Sequence, residues 1–350
     1  MSTIEMPHVP PPPPGRETPP APVRGPQPPR RRRGRGRKIL LWVLALLVIG
    51  VFGIIAFLFY TDSKIDKIPV EELGSLSAVS GPRNILIVGT DSREDLPEDF
   101  EGSFGDFTGS RTDVVMVAHL VNGKAQLISI PRDLKVDIPG EGTQKINAAY
   151  ALGGPDLLVR TVQDNLGIPI NNYMEIDFFG FANTVDALGG ITVDFEYPAR
   201  DLKSGLEVEA GRQTLSGPQA LAFARSRSYE ELRDGEWVTV DGTDIGRTGR
   251  QQEVLLTMFT QAASPGKAFN LPGFTSTFAE QITADSGMSV GVLADLGRRA
   301  LGVRGDDIET RTLPVTISNE GGVSYVVPVE PSATTMIDAF LAGEPLPETD

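Results

Sequence analysis

The chain has 350 residues, no cysteine, two histidines and a net charge of −14. The missing cysteines exclude disulfides, thiolate zinc sites, iron–sulfur clusters and a cysteine nucleophile. His8 sits in a proline tract and His119 stands alone in the body, so a Ser-His-Asp triad or a multi-histidine metal site is nearly excluded too.

The average charge hides three segments. Residues 1–38 carry nine basic and two acidic side chains (+7), residues 39–60 carry none, and residues 61–350 hold 23 basic and 44 acidic side chains (−21). Twelve prolines fall in residues 1–29, including Pro10–Pro14. Such a segment cannot bury enough apolar surface to offset its ordering entropy. Residues 1–38 therefore read as a disordered, partly polyproline-II tail, the alternative being a ligand for a proline-recognising domain. Ile39 to Tyr60 is uncharged and, as a helix, spans ~33 Å, enough for a bilayer core. Arg30, Arg31, Arg32, Arg33, Arg35, Arg37 and Lys38 precede it directly. The positive-inside rule then makes the tail cytoplasmic and the acidic body extracytoplasmic, a single-pass type II arrangement. A cleaved signal peptide fits less well, because the apolar run is long and no small-x-small site follows. A body at −21 is a poor partner for nucleic acid. Outside the membrane no nucleoside triphosphate is at hand, so an energy-requiring reaction there needs a substrate that is already activated.

Residues 61–81 read as a linker and 82–345 as one domain without internal repeats. Asn84–Gly89 is an apolar run expected as a buried strand. Val114–Val121 and Ala125–Ile130 flank Asn122-Gly123, a strong hairpin signal. If that pair is a two-residue loop, Val121 faces Lys124 and the same register sets Asp113 opposite Arg132. Asp91, just beyond the first strand, then joins the same sheet edge. Helices are expected at Pro155–Leu166 with Gly167 as the stop, at Phe178–Leu188 capped by Asp177, at Pro218–Arg225 capped by Ser216, and from Arg250 to Ala263. Ile191–Tyr197 reads as a strand. Asn147 reads as the cap of a helix start, the alternative being that Asn147-Ala148-Ala149-Tyr150 lines the rim of a site. The tail reads as a helix (Val290–Leu301), two strands (Glu309–Thr316, Val323–Val329) and a last helix (Ala333–Leu341).

Six arginines stand at element ends in this acidic body: Arg111, Arg132, Arg225, Arg227, Arg247 and Arg250. Each alone is an ordinary surface ion pair. Together they suit phosphate oxygens, which guanidinium forks bind bidentately. Carboxylates among them suggest a bridging hard cation, with Asp91 and Asp113 as the Mg²⁺ ligand candidates. Phe178, Phe179, Phe181 and Met174 read as core, or else as the wall of a lipid pocket.

The segments GTDSR (89–93), RTDVVMV (111–117), ISIPRDLKVDIPG (128–140), KINAAYALGGP (145–155), DALGGITVDF (186–195) and LAFARSR…GRTGRQQEV (221–254) resemble the LytR-CpsA-Psr family, strongly over about 82–263 and more loosely to 345. The resemblance implies a three-layer α/β/α sandwich with a mixed central sheet behind one transmembrane helix. It implies transfer of a phospho-glycopolymer from a polyprenyl-pyrophosphate carrier to peptidoglycan in cell-wall assembly, with Mg²⁺ as cofactor and polyprenyl phosphate as product. Carried over by motif, Asp91 and Asp113 match the magnesium and catalytic aspartates. Arg111, Arg132, Arg225, Arg227 and Arg247 match the pyrophosphate-binding arginines, with Gln251 at the same mouth and Asp133 orienting Arg132. Arg111 and Arg132 count among the catalytic groups. Two departures, the Glu94–Gly109 insertion and a stretch around Trp237, bear on which glycan is handled. A lipid pyrophosphatase at the same site and a non-catalytic envelope regulator stand as alternatives.

Overall fold

The computed structural model describes residues 53, 56–74, 82–91, 112–121, 124–240, 244–262, 271–300 and 307–348. The chain divides into two units, Met1–Gly53 and Ile54–Asp350, and the architecture below is that of the second. The tail, most of 39–60, Arg111, the Glu94–Gly109 insertion and the Asn122-Gly123 turn lie outside the described residues. Residues 53 and 56–62 are helical, and among the described residues no helix is long and apolar enough to cross a membrane.

In chain order the body runs β1 (Asp66–Ile68), β2 (Arg83–Thr90), β3 (Thr112–Val121), β4 (Lys124–Ser129), β5 (Lys135–Ile138), β6 (Gly142–Lys145), α1 (Ile146–Leu166), β7 (Asn172–Asp177) and α2 (Phe178–Ala187). Next come β8 (Ile191–Phe195), β9 (Ala199–Asp201), β10 (Leu206–Val208), β11 (Gly211–Leu215), α3 (Gly217–Arg225), β12 (Glu230–Arg233), β13 (Glu236–Thr239) and α4 (Asp244–Ala262). The last are α5 (Leu271–Glu280), β14 (Ile282–Asp285), α6 (Val290–Ala300), β15 (Ile308–Thr312), β16 (Val315–Glu320), β17 (Val323–Pro328) and α7 (Ser332–Ala342).

Seven strands form the central sheet in the order β1-β14-β7-β2-β3-β4-β15. It is mixed: β1/β14, β7/β2 and β4/β15 pair parallel, while β14/β7, β2/β3 and β3/β4 pair antiparallel. β2 lies inside the sheet and is covered on both faces, which is why its sequence is a continuous apolar run rather than an alternation. On one face Leu86, Val117 and Ile128 pack with Leu158 and Val162 of α1 and Phe340 of α7. On the other, Ile85, Met116 and Leu127 pack with Ala279 of α5 and Val292 of α6. Helices on both faces make three layers. A third cluster joins Val185 of α2, Val193 and Phe195 of β8, Phe223 of α3 and Val254 of α4.

The β3–β4 register is the expected one, with Val121 opposite Lys124 and Met116 opposite Ser129. Other boundaries differ from expectation. Residues read as linker include β1, an edge strand paired parallel with β14, and Ile65 before it is buried. Three residues are too few for a periodic signal. The helix expected from Pro155 begins nine residues earlier, because two helical pieces join across a kink at Gly153 and Gly154 (φ +65°). Pro155 opens the second piece, where its missing N–H costs nothing. Asn147 is therefore not a cap; Lys145 holds that position, and the Asn147 N–H donates to the Arg132 carbonyl at 3.3 Å. The strand expected at Glu309–Thr316 is two strands, broken where Leu313 turns inward before Pro314. Asp177 caps α2 as expected, accepting from the Gly180 N–H at 2.6 Å.

His119 is structural. It is buried; its Nδ1–H donates to Asn84 Oδ1 at 2.6 Å, while Nε2 has no hydrogen-bond partner. Burial holds its pKa below the ordinary 6.5. The unfolded chain then binds a proton that the folded chain refuses, so stability is full above about pH 6.5 and falls as pH drops through that value. We expect the urea midpoint to fall between pH 7 and pH 5 and His119→Gln to flatten that part of the profile. An unchanged slope in the variant contradicts this assignment.

Candidate active site

The central sheet, α2, α3 and α4 enclose a cavity of about 460 Å³. Its inner wall is apolar, with Ile87, Val114, Phe181, Leu221, Val254 and Leu255 contributing. Its mouth is charged. Asp91, Asp113, Arg132, Arg225, Arg227, Arg247 and Gln251 all line it, which brings together every metal and pyrophosphate residue that the family resemblance marks within the described part of the chain. Arg111 lies outside that part.

Local structure explains each placement. Between Gly89 and Thr90 the β2–β3 ladder slips, so Gly89 faces Val114, Thr90 faces Thr112 and Asp113 is left without a partner in that ladder. This is a β-bulge, a device that re-aims a side chain beside active sites. Gly89 is required there, since an added Cβ comes 2.9 Å from the Val114 Cβ. The freed Asp113 Oδ1 accepts from Arg132 Nη1 at 2.7 Å, the partner that the hairpin register indicates. Arg227 Nη2 lies 3.6 Å and Arg247 Nη1 4.0 Å from the same oxygen. Behind Arg132, Asp133 sits 3.9 Å from its Nε and 3.1 Å from Lys145 Nζ. Arg225 closes α3 with its Cζ 4.6 Å from the Phe178 ring centroid, a cation–π distance. Arg247, Gln251, Val254 and Leu255 project from one face of α4 at helical spacing.

Arg250 departs from expectation. It does not line the cavity: its buried guanidinium donates from Nη2 to the Ser226 carbonyl at 2.6 Å and lies 4.9 Å from the Tyr229 ring centroid. Phe178 and Phe181 line the cavity, whereas Met174 packs against the core. The stretch around Trp237 is the β12–β13 hairpin, in which Trp237 stacks 4.0 Å from the Arg200 guanidinium. Two lining residues, Asp201 and Lys203, carry no motif or periodic signal that marks them in the sequence.

The mouth suits an anion. Five basic and four acidic side chains line the cavity, and the Asp177 carboxylate is engaged in capping α2. Arg247 is a buried cation at 3% exposure, which an anionic ligand would neutralise. Among the described residues no three metal-ligating side chains cluster. Asp91 and Asp113 nonetheless supply two hard oxygen donors at one mouth, which fits Mg²⁺ when substrate phosphates complete the shell.

The chain is thus an α/β domain with an arginine–aspartate cluster at the mouth of an apolar-walled cavity. The LytR_cpsA_psr family pattern matches residues 60–340, and the chain belongs to this LytR-CpsA-Psr family. It is 35% identical over 307 residues to the probable cell wall biosynthesis protein LcpB of Corynebacterium glutamicum, covering 83% of this chain and 70% of that one. It is 32% identical over 240 residues to the polyisoprenyl-teichoic acid–peptidoglycan teichoic acid transferase TagU of Oceanobacillus iheyensis, covering 65% of this chain and 68% of that one. Among solved structures, the LytR-Csp2A-Psr enzyme from Actinomyces oris superposes with a TM-score of 0.64 at 31% identity, covering 79% of this chain and 95% of that one.

Proposed function

We propose that the chain is a membrane-anchored, extracytoplasmic enzyme that transfers a phospho-glycopolymer from a polyprenyl-pyrophosphate carrier to peptidoglycan. One observation carries this reading: four arginines and two aspartates ring the mouth of an apolar-walled cavity. The apolar wall suits an isoprenoid chain and the arginines suit its pyrophosphate. The names of the LcpB and TagU relatives support the cell-wall substrate class.

In this reading Arg132, Arg225, Arg227 and Arg247 hold the pyrophosphate oxygens, and Gln251 adds a hydrogen bond at the same rim. A peptidoglycan sugar hydroxyl attacks the phosphorus nearest the glycan. The bond from that phosphorus to the bridging oxygen breaks, and polyprenyl phosphate leaves. The hydroxyl proton passes to a carboxylate of the Asp91–Asp113 pair. Fixed guanidinium groups stabilise the charge that builds on the transferring and leaving phosphates. Asp91 and Asp113 would also hold Mg²⁺, whose chemistry there is charge neutralisation on the pyrophosphate. Residues 39–60 anchor the enzyme with the tail in the cytoplasm.

The test uses the full chain in detergent with a lipid-linked glycan donor, with and without peptidoglycan. We expect glycan phosphate on the peptidoglycan, polyprenyl phosphate released in step with it, and loss of both on chelation with EDTA. Release of lipid phosphate without acceptor points to the pyrophosphatase instead. No turnover with any donor overturns both.

A further inference from the structure

Asp201 has no part in the chemistry above, yet its carboxylate accepts five hydrogen bonds beside the cavity. It ends β9 with 1% exposure. Its Oδ2 accepts from Ser226 Oγ at 2.6 Å, the Arg227 N–H at 2.9 Å and the Ser228 N–H at 2.8 Å. Its Oδ1 accepts from the Lys203 N–H at 2.9 Å and the Ser204 N–H at 3.4 Å. Burial alone would raise its pKa; the hydrogen bonds from Ser226, Ser228, Lys203 and Arg227 reverse that and hold it below the ordinary carboxylate range.

The Oδ2 partners lie on the segment that carries two of the pyrophosphate arginines. α3 ends at Arg225, and Ser226 leaves the helix with φ −58° and ψ +128°. Beyond a helix end the backbone has no ladder of its own. Here one carboxylate oxygen ties down three successive residues. Arg250 grips the same residue from its other side, donating to the Ser226 carbonyl at 2.6 Å. Ser226 is thus held by both side chain and carbonyl, with Arg225 before it and Arg227 after it. Both arginines reach the cavity, Arg225 against Phe178 and Arg227 beside Asp113. The Oδ1 partners, Lys203 and Ser204, line the same cavity. A carboxylate is the group this geometry demands, because each of its oxygens accepts. An amide accepts with one oxygen only and must release one of the two segments.

We propose that Asp201 is a positioning residue that sets where Arg225 and Arg227 meet the pyrophosphate, with Arg250 closing the clamp from behind. The inference rests on the pyrophosphate reading of the cavity mouth.

The test compares full-length wild type, Asp201→Asn, Ser226→Ala and Arg227→Ala in detergent, with inorganic pyrophosphate and Mg²⁺ as the probe. Calorimetry reads affinity, hydrogen exchange reads the amides of Arg227 and Ser228, and turnover is followed against acceptor concentration. For Asp201→Asn we expect faster exchange at both amides, pyrophosphate affinity lower by about tenfold and kcat lower by about tenfold or more, since a small misplacement of a binding group costs that much. The KM for the peptidoglycan acceptor should stay unchanged, which general loss of structure would not spare. Ser226→Ala should weaken pyrophosphate by about threefold, the scale of one hydrogen bond. A folded Asp201→Asn that binds pyrophosphate like wild type overturns the proposal while leaving the site reading intact. If Asp201→Asn does not fold, wild-type affinity in Ser226→Ala overturns it. Should wild type and Arg227→Ala both ignore pyrophosphate, the site reading fails and the proposal falls with it.

Discussion

Arg132→Ala is expected to slow glycan transfer by about 10²–10³, the scale seen when one donor to a developing oxyanion is removed. Arg132 sits just past the end of β4 and donates to Asp113 at 2.7 Å. Its loss removes a fork that would bridge carboxylate and phosphate. The fold should survive, because Arg227 and Arg247 remain within 4.0 Å of the Asp113 carboxylate and Lys145 still pairs with Asp133 at 3.1 Å. Arg132→Lys keeps the charge but not the planar fork, so its rate should fall between wild type and alanine. Rates measured with a lipid-linked donor, beside melting curves, check both variants. A near-wild-type rate in a folded Arg132→Ala removes Arg132 from the mechanism.

Gly217→Ala is expected to be the most damaging small substitution for stability. Gly217 opens α3 where that helix crosses α2, and an added Cβ would lie 2.1 Å from the Ala182 carbonyl oxygen and 2.7 Å from its carbon. Both are backbone atoms and cannot swing aside. The two helices must separate, and the 2.7 Å bond from the Gly217 N–H to Asp186 Oδ1 is lost as they do. We expect a loss of about 3 kcal/mol, the upper end for overpacking a tight contact. Activity should fall as well, since α3 delivers Arg225 to the cavity. Gly249→Ala in α4 is the matched control. Its added Cβ meets nothing within 4 Å, so it should stabilise by about 0.5–1 kcal/mol through helix propensity. Urea midpoints of the two variants measured together decide the point, and equal midpoints would falsify the packing argument.

Much of the site is legible in the sequence. The Asn122-Gly123 signal set a register, and that register brought Asp113 to Arg132. Arg225 closes a helix whose start Ser216 marks as the expected cap, and the structure adds a capping box there, with Gln219 Oε1 accepting from the Ser216 N–H at 3.0 Å. These inferences succeed because hairpins and caps are short-range: a few adjacent residues decide them. β7 escaped notice for the opposite reason. Its sequence, NYMEID, mixes polar and apolar residues, and the half-buried Glu175 accepts from the Tyr150 and Tyr173 hydroxyls at 2.8 and 2.6 Å. A carboxylate satisfied by tyrosine hydroxyls in mid-strand leaves no apolar pattern to read. β1 carries no signal either, being three residues long and paired in the sheet with β14, more than 200 residues away.

Arg250 and Asp201 show where the boundary lies. By itself the sequence determined the split of charge, the lack of cysteine and histidine chemistry, the hairpin register and the family. Residue type and position alone did not separate Arg247 from Arg250, three residues apart on α4, although the family resemblance matched only Arg247. The tertiary structure supplies the physical reason, because Tyr229 and the Ser226 carbonyl take up the Arg250 guanidinium while Arg247 stays on the face that carries Gln251 and Val254. It also gave Asp201 its place beneath the 225–228 segment, since its donors come from chain up to 27 residues away. Local rules act over a turn or a strand pair, whereas the direction in which an arginine points is settled by whatever distant chain packs against it.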